Sequence, residues 1–154
     1  MLNINTHECS FDRLPPKLAS LVECYRIEDD PVIFCCEVSV VPKGWWAFFW
    51  GQPEPLDHAH VITERKLISA RRSKLYRSIG SVTSIDLIDI VKVELTFNEQ
   101  YGYMVTAHGA GEGTVDCPMS LEARAGFVTV LQGARDAARL SPPAPPASME
   151  QAET

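Results

Sequence analysis

No apolar run in this chain approaches the roughly 20 residues that a membrane-spanning helix requires. The runs Val38 to Val41 and Trp45 to Trp50 are separated by Pro42, Lys43 and Gly44. A transmembrane helix is therefore not expected. The first residues, MLNINTHECSFDRL, have no basic segment leading into an apolar stretch, so the layout of a secretory signal is also missing. The cytosol is the expected location.

Paired or clustered thiols are missing too. The five cysteines, Cys9, Cys24, Cys35, Cys36 and Cys117, are odd in number and show no CxxC spacing, whereas disulfide frameworks and zinc sites need grouped cysteines. They read as reduced, small apolar fillers. Cys35 and Cys36 are neighbours in an expected strand, so they point to opposite faces and are poorly placed to share a metal.

Catalytic signatures are equally scarce. No Ser, Thr or Cys sits in a GxSxG, Walker-type or kinase-like setting. His58 and His60 share one strand face beside Asp57, a geometry compatible with a metal or a general base. Lacking a third ligand at recognisable spacing, they read as a surface pair. The expectation is a protein that is not an enzyme and has no cofactor and no metal site.

What is present is ordinary globular material. The 154 residues are 45% apolar and 22% charged, which suits one domain with one core. Residues 1–30 form an N-terminal extension. Leu14, Leu18, Leu21, Val22 and Tyr25 there fit a short amphipathic helix with Pro15 and Pro16 in its first turn, an appendage to the main body. Residues 31–140 form that body. Residues 141–154, SPPAPPASMEQAET, hold four prolines and no branched aliphatic or aromatic residue, so burial cannot offset the entropy of ordering them. A disordered tail is expected, although its PPAPP run has the composition of a polyproline ligand.

Within the body the period is two. Val32, Phe34, Cys36, Val38 and Val40 share one strand face, with Glu37 and Ser39 on the other. His58 to Thr63 and Leu67 to Arg72 make a hairpin whose tip is Glu64, Arg65 and Lys66, and Ile79 to Leu87 follows. Val91, Val93, Leu95 and Phe97 alternate with Lys92, Glu94 and Thr96, the pattern of a half-buried strand. After a turn at 98–100 come Tyr101 to Ala107, a second turn at 109–113, and Thr114 to Cys117. The period then becomes helical. Ser120 is placed to cap a helix to about Leu140, and Leu121, Ala125, Val128, Leu131 and Ala138 form its apolar stripe.

The segment VITERKLISARRSKLYRSIGSVTSIDLIDIVKVEL, Val61 to Leu95, resembles the bacterial pleckstrin-homology-like domains and the related GRAM-type modules. In those domains a strand ending in T-x-R-x-L opens a hairpin, and a later hydrophobic-D-L-x-D-I stretch leads into the fifth strand. The matching positions are Thr63, Arg65 and Leu67, then Ile85, Asp86, Leu87, Asp89 and Ile90. The order of elements over roughly Pro31 to Leu140 is similar as well. The resemblance implies a mainly β fold, a seven-stranded antiparallel barrel of two near-orthogonal sheets capped by the C-terminal α-helix. It also implies a non-enzymatic module that binds lipid head groups, peptides or proteins, or that self-associates. Phosphoinositide-binding members carry basic residues around the first hairpin, where this chain offers only Lys43.

Two features stand out as places for binding. Trp45, Trp46, Phe48, Phe49 and Trp50 put five aromatics into six residues. They either project toward a partner or a membrane interface, or cover the core of the domain. Lys43 is the one cation beside them, which favours a protein partner over a lipid surface. Arg65, Lys66, Arg71, Arg72, Lys74 and Arg77, set against Glu64, give residues 61–80 a charge of +5 in a chain of net charge −6, leaving −11 elsewhere. That cluster, with Lys43, either attracts an anionic partner such as lipid or is a solvated hairpin edge that discourages aggregation. Nucleic acid is not an expected partner of so acidic a chain. The leading expectation is a protein-interaction or self-association module. The alternative is an anionic-lipid-binding domain, peripheral at the inner face of the membrane.

Overall fold

The structure is a computed structural model that describes residues 2–42, 56–73, 80–98 and 102–140. The aromatic run at 45–50, Lys43, Lys74, Arg77 and the proline-rich tail lie outside the described residues.

The chain is mainly β, with two antiparallel sheets and a C-terminal helix. β1 (Leu2–Glu8), β2 (Val32–Pro42), β3 (Leu56–Thr63), β4 (Lys66–Ser73) and β5 (Gly80–Asp86) form the first sheet in sequence order. β6 (Ile90–Asn98), β7 (Gly102–Gly109) and β8 (Thr114–Pro118) form the second. α1 (Pro16–Glu23) precedes β2, and α2 (Leu121–Leu140) ends the described chain. Among the described residues, strand pairing does not close the two sheets into one ring.

Seven of these strands were expected and β1 was not. It pairs antiparallel with β2 from Leu2 opposite Pro42 to Glu8 opposite Cys36. Its sequence, LNINTHE, is polar at most positions, because an edge strand gains its place from backbone pairing as much as from burial. Ile4 alone among its described side chains packs against the main core.

The first sheet is buried on both faces. On one, Cys36, Val38, Val40, Ile62 and Leu67 meet Val105, Ala107, Val115 and Cys117 of the second sheet and Phe127, Leu131 and Ala134 of α2. On the other, Cys35, Ala59, Val61, Ile68 and Ala70 meet Leu14 and, from α1, Leu18 and Val22. Leu18 and Val22 are fully buried, each contributing about 1.5 to 3 kcal/mol of apolar transfer. Pro16 stands at the first position of α1, where its missing N–H costs nothing. The adjacent thiols Cys35 and Cys36 are both buried, one in each cluster, as their strand position requires.

Two facing expectations are corrected. Val32 packs with the second cluster while Phe34 packs with the first, because the β2–β3 register shifts between them and a bulge resets the alternation. On α2, Leu121 is 70% exposed and Ala125 is exposed, whereas Phe127 is fully buried and touches the Phe34 ring edge-on at 5.9 Å. Ala123, Phe127, Leu131, Ala134 and Ala138 also recur at helical spacing. Burying a phenyl ring outweighs burying Leu121 in the first turn, so the helix turns that stripe toward the core.

Candidate functional site

The residues that carry the pleckstrin-homology-like resemblance are structural. Thr63 Oγ1 donates to the buried carboxylate of Asp30 (Oδ2, 2.6 Å) and accepts from the backbone amides of Arg65 (3.3 Å) and Lys66 (2.8 Å). One hydroxyl thus shapes the β3–β4 turn and anchors the segment ahead of β2. The Leu87 amide donates to Arg65 O at 2.8 Å, and a 3-10 turn, Leu87–Asp89, carries the chain from the first sheet to the second. Leu87 and Ile90 are fully buried at that crossing.

His58 and His60 were read as a surface pair, and the structure overturns this. His60 is fully buried and His58 is 4% exposed, because the face of β3 that carries them turns inward toward α2 and the second sheet. His60 Nε2 donates to Pro118 O (2.9 Å), which can only accept, so Nδ1 accepts from the Ser69 hydroxyl (3.0 Å). This fixes a neutral tautomer. Burial pushes the His60 pKa down to about 4, opposed by the bond to Pro118. Burial, then the neighbouring His60 and Arg71, push His58 down to about 3. A cleft of about 350 Å³ opens beside His58, lined also by Ser69, Arg71, Ser81, Thr83 and Asp116. Among the described residues, no three His, Cys, Asp or Glu side chains gather as a metal site would need.

The described cations do not converge. A strand rise of about 3.4 Å per residue puts Lys66 and Arg72 roughly 20 Å apart along β4. Lys66 Nζ lies 3.6 Å from Asp86 Oδ1, and Arg72 Nη2 lies 3.5 Å from Asp57 Oδ2. Arg71 donates from Nε to Ser81 Oγ at 2.6 Å. Arg65 is exposed at the hairpin tip.

An apolar patch lies instead on the second sheet. The inward row of β6 starts at Val93, which packs against the core, and continues to Leu95 and Phe97, 55% and 66% exposed. Opposite Phe97 in the register stands Tyr103, 54% exposed, with ring centroids 5.3 Å apart. Arg124 of α2 stacks over the Tyr103 ring at 5.8 Å and donates from Nη2 to Tyr103 O at 2.7 Å. β6 is also an edge strand. Among the described residues it pairs with β7 on one side only; Arg139 Nη2 donates to Ile90 O at its start, and over residues 91–97 alternate backbone donors and acceptors face away from β7. The sequence shows the alternation of β6 but not how far α2 covers it, which is why Leu95 and Phe97 read as core.

No protein-family model matches the chain, and comparison with curated proteins and with solved structures likewise gives no match. Among the described residues no helix is long and apolar enough to cross a membrane.

Proposed function

We propose that this chain is a non-catalytic binding module of pleckstrin-homology-like architecture that works by protein–protein contact, in the first instance self-association, along the β6 edge. The observation that carries the proposal is the union on one strand of an edge that has no second strand beside it among the described residues with the exposed side chains of Leu95 and Phe97, backed by Tyr103. Exposed apolar groups beside free strand hydrogen-bonding groups are what strand addition uses, with backbone bonds supplying affinity and alternate side chains specificity.

The architectural part draws support from the order of elements. Without β1, the sheets hold strands β2 to β5 and β6 to β8, followed by α2 packed against the core between them. That is the order expected of a seven-stranded barrel capped by its last helix. The turn-forming roles of Thr63 and Leu87 give a physical reason for the residues on which the resemblance rests. Anionic-lipid binding, the alternative, draws less support, because Lys66 and Arg72 are engaged by carboxylates and stand far apart.

Sedimentation equilibrium over a range of protein concentrations tests the proposal. The expected result is concentration-dependent association that Phe97→Lys and Leu95→Lys each weaken by at least tenfold. A wild-type chain that stays monomeric throughout, or association indifferent to both substitutions, would overturn it.

A further inference from the structure

Cys9 follows directly on β1, and the β1–β2 register, ending at Glu8 opposite Cys36, sets it opposite Cys35. The Cys9 amide donates to Cys35 O at 3.1 Å, which extends the ladder to this pair. Directly opposed residues of an antiparallel pair point to the same face, and here the two sulfurs lie 3.9 Å apart. A hydrogen-bonded cross-strand pair has its Cα atoms about 5.5 Å apart, within the roughly 4.4 to 6.8 Å window for a disulfide.

The two thiols differ in surroundings. Cys35 is 3% exposed and lies in the α1-side cluster. Cys9 is partly exposed and lines an open depression with Glu8, Ser10 and Arg13. A small oxidant can reach Cys9 but not Cys35.

We propose that Cys9 and Cys35 are a reversible modification site, oxidised by hydroperoxides to an intramolecular disulfide that staples the end of β1 to β2. The Cys9 thiolate attacks one peroxide oxygen. The O–O bond breaks, the other oxygen leaves as water after protonation, and Cys9 becomes a sulfenic acid. The Cys35 sulfur then attacks the Cys9 sulfur, the S–O bond breaks, and the hydroxyl leaves as a second water with the Cys35 proton. Two thiols and one hydrogen peroxide thus give one disulfide and two waters, and a small dithiol reverses the change. Burial raises the Cys35 pKa, followed in effect by the neighbouring Cys9, so Cys35 is the resolving and not the attacking thiol. The bridge closes a loop that contains α1.

The experiment uses the full chain carrying Cys24→Ser, which removes the exposed thiol, treated with stoichiometric hydrogen peroxide. The expected product is a monomer lighter by about 2 Da with Cys9 and Cys35 in one linked peptide, reversed by dithiothreitol. Its Tm is expected to rise by roughly 5 °C over the reduced form. Cys9→Ser in the same background should abolish the mass change and the Tm shift while still folding, since Cys9 is only partly buried. Stable sulfinic acid at Cys9 without cross-linking, or disulfide-linked dimers as the main product, would overturn the proposal.

Discussion

His60 of β3 donates from Nε2 to the carbonyl of Pro118 at the end of β8, 2.9 Å away, and this buried bond ties the two sheets together. Because Ser69 occupies the other ring nitrogen at 3.0 Å, the imidazole is held on both sides. Phe127 of α2 packs edge-on against the same ring at 6.1 Å. One side chain therefore joins the first sheet, the second sheet and the C-terminal helix.

Replacing His60 by alanine is expected to cost about 3 kcal/mol, combining a cavity under Phe127 with unsatisfied groups at Pro118 and Ser69. Urea unfolding of H60A against the wild type measures it. A loss below about 1 kcal/mol would show that the bond does not hold the sheets together.

Acid should begin to destabilise the fold before the carboxylates titrate. His58 and His60 are depressed from 6.5 to about 3 and about 4, so the folded state favours their neutral forms and the unfolded chain binds more protons below pH 6.5. Their contribution is fully present above that value and is lost as pH falls to about 4 for His60 and about 3 for His58, at a slope of about 1.4 kcal/mol per pH unit for each histidine. Tm measured between pH 7 and pH 4 should fall steadily in the wild type and less steeply in a His58→Phe variant.

Thr63→Val, which preserves shape, should cost about 2 to 3 kcal/mol, because it leaves the buried Asp30 carboxylate without its 2.6 Å donor and removes the acceptor of two turn amides. Thr63→Ser keeps the hydroxyl and should cost under about 1 kcal/mol. Denaturant midpoints of the two variants separate the hydrogen bond from simple packing.

Phe97 and Phe127 should respond oppositely. Phe97→Ser at a position 66% exposed is expected to change stability by less than about 0.5 kcal/mol, while weakening association. Phe127→Ala, in the core, should cost about 3 to 5 kcal/mol. Thermal unfolding and sedimentation on the same two proteins distinguish a binding residue from a packing residue.

Much of the fold was legible because strand alternation and helical spacing are local signals. Val93 and Leu95 announce β6 without reference to any other element, and Ser120 to Leu140 announces α2. β1 was not legible, since LNINTHE gains its place by pairing with β2 and by lending Thr6 Oγ1 to the Ser120 amide at 2.9 Å, a partner 114 residues away in sequence. The histidine pair misled for a related reason. A polar residue on a strand looks solvent-facing until a carbonyl from another sheet is found within hydrogen-bonding distance.

The sequence by itself determined the β-rich class, seven of the strands, both α-helices and the opposite facings of Cys35 and Cys36, because each follows from the period of side chains along one segment. Only the tertiary structure decided that α1 buries the second face of the first sheet, that His58 and His60 lie inside, that Cys9 meets Cys35, and that Leu95 and Phe97 stay uncovered. Each of these depends on where a distant element comes to rest, and burial is a property of the pair of surfaces, not of either one alone.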